Sequence, residues 1–225
     1  MAKPYYITTP IYYVNDKPHI GHAYTTLACD VLARFKRLDG FDVTFLTGTD
    51  EHGQKVEKAA LNKGVSPQDF TNEVSQNFRD LTAQMNFSND DFIRTTETRH
   101  KLACQEIWSR LQTLGHIRLG NYAGWYSVRD EAFFTENEVV DGKAPTGAPV
   151  DWVEEPSYFF NLSQWQQPLL DFYEANPNFV GPESRFNEVK SFVKGGLRDL
   201  SVSRASFKWG IPVPGDPDHV MYVWL

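Results

Sequence analysis

Two histidines three positions apart, His19 and His22, with Ile20 and Gly21 between them, are the residues of this chain best suited by type and spacing to do chemistry. They stand where a long helix is expected to start, and side chains three apart on a helix share a face. The first turn of a helix leaves backbone N–H groups unsatisfied and carries the positive end of the helix dipole, which makes it an anion site suited to a polyphosphate. Gly21 removes a side chain, so a flat base could approach the backbone there. In nucleotidyl transfer the α-phosphorus passes through a crowded, highly charged transition state, and two imidazole N–H donors aimed at it stabilise that charge without covalent chemistry. Two plainer readings of the pair stay open: surface histidines near a helix cap, and a metal pair completed by His52 or Asp50. Against the metal pair, zinc-hydrolase histidines usually sit inside a helix with a glutamate between them, and none is present here.

The elements that must position these groups are legible in outline. Tyr5 to Thr9 reads as a strand, and Val14 to Pro18 as a turn-rich stretch. Ile20, Ala23, Leu27, Val31, Phe35 and Leu38 then recur at helical steps, with Gly40 as a stop signal. Val43 to Thr47 reads as a strand, Gly48 to Gly53 as a charged loop, and a further helix runs to about Lys63, ended by Gly64. Ser66-Pro67-Gln68-Asp69 supplies an N-cap, a proline at the first helical position and an acidic third position, so a helix is expected from about Pro67 to Met85. Phe92 to Arg94 is a third strand and Thr96 to Leu114 a helix. Strands alternating with helices predict an open parallel α/β sheet. After Gly115 the texture changes to aromatics, glycines and prolines. Strand pieces are expected at Gly124 to Val128 and Ala132 to Thr135, and helices around Ser163 to Ala175 and Arg185 to Gly195. This stretch reads as an inserted α+β subdomain. The apolar run Val220 to Leu225 reads as a buried strand returning to the sheet, and a chain that stops there reads as a fragment.

Composition bounds the classes. The 225 residues are 41% hydrophobic and 14% aromatic, a globular balance. A net charge of −7 does not advertise nucleic-acid binding, so any such contact must come from a local patch. Cys29 and Cys104 lie far apart without a CxxC pair, which gives neither a disulfide framework nor a cysteine zinc knuckle. With no signal-peptide pattern and no apolar run of membrane-spanning length, a reducing, cytoplasmic setting is expected.

The segment from Thr9-Pro10-Ile11-Tyr12-Tyr13 through His19-Ile20-Gly21-His22 resembles the start of the class I aminoacyl-tRNA synthetases. Thr47-Gly48-Thr49-Asp50-Glu51-His52-Gly53 resembles a loop of the methionine members of that family. Asp199-Leu200-Ser201-Val202-Ser203-Arg204, Trp209-Gly210-Ile211-Pro212 and Tyr222-Val223-Trp224 follow in the family's order. The resemblance implies the first half of a Rossmann-like catalytic domain over residues 1–115, an inserted connective-peptide subdomain over 116–216, and a return strand over 217–225. It implies methionine, ATP with Mg2+, and tRNA as substrates and partners in translation. His19 and His22 would contact the ATP phosphates, with Gly21 under the adenine. Asp50 would pair with the methionine ammonium, and Ile11, Tyr13 and Trp224 would line the side-chain pocket, where aromatic walls suit a thioether. Arg204 would act near the substrate carboxylate or the phosphates.

Two departures from the family pattern stand out. Many members carry cysteine pairs that hold zinc in the insert. Here Tyr126-Ser127-Val128-Arg129-Asp130 and Lys143-Ala144-Pro145-Thr146 occupy that region, so no zinc is expected, and packing of Trp125, Phe133, Phe134 and Trp152 is expected to hold the insert instead. The family's lysine–serine signature loop and the anticodon-reading helical domain do not occur in these residues. Two other function classes remain to be separated: another HxGH nucleotidyltransferase, such as a cytidylyltransferase, and a non-catalytic module binding methionine or tRNA.

Overall fold

The structure is a computed structural model that describes residues 2–130 and 132–222. It divides into two compact units, Met1–Glu106 with Trp209–Ile211, and Ile107–Lys208 with Pro212–Leu225.

The first unit is built on parallel strands. β1 (Pro4–Thr8) runs parallel to β3 (Asp42–Asp50), pairing Pro4 with Asp42 through Thr8 with Leu46. β2 (Tyr12–Tyr13) continues along the same side of β3, pairing with Thr49 and Asp50, and β4 (Asp91–Arg94) pairs from Leu46 to Thr49. Helices fill the connections: α1 (Ile20–Leu38), α2 (Gln54–Lys63), α3 (Pro67–Gln84) and α4 (Thr98–Thr113). The expected parallel α/β sheet is therefore present. α3 starts as its sequence predicts: the Ser66 hydroxyl accepts from the Asp69 N–H at 3.1 Å, and Pro67 opens the helix where its missing N–H costs nothing. One core joins Tyr12, Val14, Val56, Ala60, Phe70, Val74, Phe78 and Phe92, and a smaller one joins Ala33, Val43 and Phe45.

α1 inverts a simple amphipathic expectation. Its buried residues are Thr26, Asp30 and Ala33, whereas Ile20, Val31, Phe35 and Leu38 are exposed. Asp30 tolerates burial because its carboxylate accepts from the Ser88 N–H and hydroxyl at 2.6 Å each and from Arg34 Nε at 2.7 Å. Those bonds hold the Asp30 carboxyl below the usual range despite burial, which pushes the other way.

The second unit is antiparallel. β6 (Ala132–Phe134), β5 (Ile117–Ser127), β7 (Asp151–Phe160) and β8 (Leu200–Ser201) form one sheet in that order. β10 (Pro212–Val213), β11 (Asp216–Met221) and β9 (Ser203–Arg204) form another. α5 (Gln166–Ala175) and α6 (Glu183–Lys194) follow β7, with a 3-10 turn at Leu162–Trp165 ahead of α5. One core joins Trp108, Ile117, Tyr158, Val202 and Val213, and another joins Tyr173, Val193 and Leu197. Residues 216–221 form β11. β11 pairs antiparallel with β10 and β9, because Pro214-Gly215, with Gly215 at φ +79°, folds the chain back as a hairpin.

Two of the aromatic residues expected to hold the insert meet among the described residues. Trp125 and Trp152 meet edge to face at 5.4 Å across β5 and β7, but Trp152 stays 56% exposed and Phe134 half-buried; the Phe133 side chain lies outside the described residues. Hydrogen bonds tie Ser127, Arg129 and Asp130 to each other and to Thr146. The Asp130 N–H donates to the Ser127 hydroxyl at 3.2 Å, the Thr146 hydroxyl to Asp130 at 2.5 Å, and Arg129 to the Thr146 carbonyl at 2.7 Å.

Candidate functional site

Both signature histidines sit at the C-terminal edge of the parallel strands, the edge where open α/β sheets place their ligands. His19 is the N-cap of α1, with extended backbone. Its Nδ1 accepts from the Gly21 N–H at 3.1 Å, and the Nδ1 of His22 accepts from the His19 N–H at 3.0 Å. The two rings lie 3.8 Å apart, tilted 31°. This is a capping box built from imidazoles, satisfying two orphan donors reciprocally. It has a chemical consequence. An Nδ1 that accepts a backbone N–H carries no proton, so each neutral ring holds its proton on Nε2, at the opposite edge. Two N–H donors are thus presented at a helix N-terminus. Gly21 serves this geometry directly: a Cβ there would meet His19 Cε1 at 2.9 Å and Nδ1 at 3.0 Å, so a side chain would push the capping ring away.

His22 is the better enclosed of the two. The Tyr12 ring meets it edge-on at 4.8 Å and the Phe78 ring at 5.2 Å. Burial against these rings, together with the neighbouring His19, holds its pKa below the ordinary histidine value, so the ring is neutral at neutral pH.

The second cluster lies at the end of β3. Tyr13 and Asp50 are register partners, and the Val14 N–H donates to the Asp50 carbonyl at 3.2 Å. Asp50 is half-buried and Ile11 is 37% exposed. Gly53 adopts φ +108°, and a Cβ there would lie 2.9 Å from the Tyr13 hydroxyl, so both backbone and space require glycine. Ile11, Tyr13, His19, Gly21, His22 and Asp50 therefore all belong to the first unit, around the strand ends and the first turn of α1.

Glu51, next to Asp50, was not singled out by sequence. Glu51 is fully buried. Arg94 holds it two-pronged, Nε to Oε1 at 2.6 Å and a terminal nitrogen to Oε2 at 2.9 Å, and the Thr49 and Thr96 hydroxyls donate at 2.7 and 2.5 Å. Trp209 closes the loop: its indole N–H donates to the Glu51 carbonyl at 2.5 Å, and its carbonyl accepts from the Gly53 N–H at 3.0 Å. His52 packs against the Trp209 ring at 5.4 Å. Burial, aided by the Lys101 cation and by His100 nearby, pushes its pKa down to about 3, so it is neutral. The signal available for Glu51 was its place in a T-x-E string beside a strand end, but its partner lies 43 residues away.

Arg204 belongs to the second unit and is 3% exposed. It donates to the Ser201 hydroxyl at 2.7 Å and the Ser203 carbonyl at 2.6 Å, and its guanidinium lies 3.8 Å over the Tyr222 ring. Trp224 lies outside the described residues. Among the described residues no group of three or more His, Cys, Asp or Glu is placed to hold a metal ion, so His52 and Asp50 do not complete a metal site with the histidine pair. No described helix is long and apolar enough to cross a membrane.

The family model described as tRNA synthetases class I (M) matches residues 5–151 and 144–225. The methionine–tRNA ligase of Rickettsia conorii is 68% identical over 100% of this chain and 44% of its own length, and that of Mesorhizobium japonicum is 58% identical over 98% of this chain and 44% of its own. The solved methionyl-tRNA synthetase of Mycobacterium tuberculosis in complex with methionyl-adenylate superposes with a TM-score of 0.93 at 56% identity, covering 99% of this chain and 45% of that one. The chain spans under half the length of these relatives.

Proposed function

This chain belongs to the class I (M) tRNA synthetase family, and from that premise we propose that it is the methionine- and ATP-binding portion of a methionine–tRNA ligase. The reaction has two steps. The methionine carboxylate attacks the α-phosphorus of ATP, forming methionyl-adenylate and releasing pyrophosphate. The terminal ribose hydroxyl of tRNA then attacks the acyl carbon and releases AMP. The observation that carries this reading is the pair of Nε2–H donors locked by backbone amides at the first turn of α1. Their protons stay in place throughout, so they stabilise phosphate charge without taking part in proton transfer.

The remaining roles follow the same placement. Asp50 at the end of β3 supplies the carboxylate for the methionine ammonium, with Ile11 and Tyr13 as pocket walls. Arg204 answers the substrate carboxylate or the phosphates. Gly21 keeps the first turn open to the adenine. Mg2+ accompanies ATP as its counter-ion. Within this reading residues 1–115 are the first half of the Rossmann-like catalytic domain, 116–216 the connective insert, and 217–225 lead back towards it. The insert works without zinc, and the protein acts in the cytoplasm on tRNA(Met).

Methionine-dependent exchange of pyrophosphate into ATP, assayed in the protein at its relatives' length, tests the proposal. Exchange with methionine and not leucine is expected, and a His22→Ala variant should lose about 10²–10³-fold in kcat, the scale of one oriented donor. Exchange that is indifferent to methionine, or that survives loss of both histidines, overturns it.

A further inference from the structure

His22 depends on more than its capping bond. Its carbonyl accepts from the Thr26 hydroxyl at 2.9 Å, one helical turn on. The Tyr12 hydroxyl lies 2.7 Å from Thr26 Oγ1 and 3.2 Å from the same carbonyl, within reach of both. Tyr12 is 8% exposed and Thr26 1%, so this knot is closed to water. Burial raises the Tyr12 pKa above its ordinary value, which keeps the phenol protonated as a donor. The same tyrosine presents its ring to the edge of the His22 imidazole at 4.8 Å and stacks on Phe78 at 5.8 Å, and Phe78 in turn faces His22 at 5.2 Å. Tyr12 lies on β2, which is registered on the end of β3, so it ties the first turn of α1 to the sheet. His19, by contrast, is exposed, and the contacts described for its ring are the cap and His22.

We propose that Tyr12, acting through Thr26 and its own ring, is a positioning residue for His22, fixing the imidazole of the second signature histidine against the strand ends with Nε2–H turned outward. Its place in the activation step rests on the phosphate-binding role proposed for His22 above. Tyr12 touches no reacting atom in this scheme. It sets the direction of a donor whose worth depends on being aimed before ATP arrives, since a misplacement of about 1 Å costs on the order of 10²-fold in rate.

Two measurements separate this inference from the reading beneath it. In the 225-residue chain, histidine-selective 15N spectra report the tautomer of each ring. His22 should show a bare Nδ1 and a protonated Nε2. Tyr12→Phe and Thr26→Val should move its nitrogen shifts towards a tautomer average and leave those of His19 in place. Thr26→Ser, which keeps the hydroxyl, should restore the original pattern. If Tyr12→Phe and Thr26→Val are folded by circular dichroism and His22 keeps its original shifts, the inference is overturned. Titrating ATP into the unsubstituted chain addresses the other claim: His22 shifts that ignore ATP overturn the phosphate-binding reading and leave the spectroscopic result on Tyr12 standing. In the protein at its relatives' length, Tyr12→Phe should lower kcat for pyrophosphate exchange about 10-fold with the KM for methionine unchanged, because aim is lost and not binding. Unchanged kcat overturns the proposal.

Discussion

The start of α1 and the loop after β3 both present polar side chains at the C-terminal edge of one parallel sheet, yet they are held by opposite means. At the start of α1 the capping bonds made by the histidine rings span two and three residues. At the end of β3, Glu51, next to Asp50, is kept in place by Arg94, Thr95, Thr96 and Trp209, from 43 to 158 residues along the chain. A local device is cheap to specify and yields when one residue changes. A distant one needs the fold already formed, and in return gives a rigid shelf. The difference teaches where each region should break. The loop should fail through stability, and the helix start through chemistry.

The largest expected effect is therefore at Glu51. A buried carboxylate that loses its cation, or a cation that loses its carboxylate, leaves an uncompensated charge or donor. Arg94→Met should cost about 3–5 kcal/mol of stability, read as a shift in the urea midpoint with unchanged slope. A cost as small as that of an exposed ion pair, below about 1 kcal/mol, would mean that the loop is not held from Arg94.

Next in size is Gly53→Ala. The backbone at φ +108° and the approach to the Tyr13 hydroxyl both oppose a Cβ, so a loss of about 1–3 kcal/mol is expected, with weakened methionine binding as Tyr13 is displaced. Gly40→Ala, at φ +83° but with nothing within 4 Å, carries the backbone cost without the steric one and serves as the comparison.

These two regions also explain what could be read from sequence. The helix start was legible because every part of it is contiguous: a strand, a turn ending in proline, His-Ile-Gly-His, then helical periodicity. The N-cap of α3 at Ser66 was legible for the same reason. Glu51 was not, because nothing in Thr49-Asp50-Glu51 distinguishes a carboxylate facing a buried arginine from one facing solvent. The antiparallel pairing of β11 was not legible in the apolar run itself, because the pairing is set by the Pro214-Gly215 turn ahead of it. The exposed apolar side of α1 shows the limit of periodicity itself. It located the helix correctly but not the side that faces this unit, which Asp30 and Thr26 occupy through their hydrogen bonds.

A pH series sharpens the contrast further. His52 is neutral in the folded protein down to about pH 3, whereas in the unfolded chain it takes up a proton below its ordinary value near 6.5. Protons then favour the unfolded state. The contribution of His52 to stability is complete above pH 6.5 and is lost as the pH falls towards 3, at up to about 1.4 kcal/mol per pH unit. Between pH 6 and 4 the unsubstituted chain should lose stability more steeply than His52→Gln by about that slope. Equal slopes would mean that His52 is not buried as described.

The smallest stability effect, and the sharpest functional one, is expected at His19. As the N-cap it accepts the Gly21 N–H, a task that asparagine performs as well. His19→Asn should leave stability within about 0.5 kcal/mol, whereas His19→Ala, which caps nothing, should cost about 0.5–2 kcal/mol. Both variants lack the Nε2–H donor. If the imidazole is there for phosphate, they should lose ATP affinity equally despite their different stabilities, as measured by calorimetric titration at one pH. If the ring is there only to cap, ATP affinity should follow stability, and the asparagine variant should bind as the unsubstituted chain does. That outcome would reduce the first signature histidine to a piece of helix architecture and leave His22 to carry the site alone.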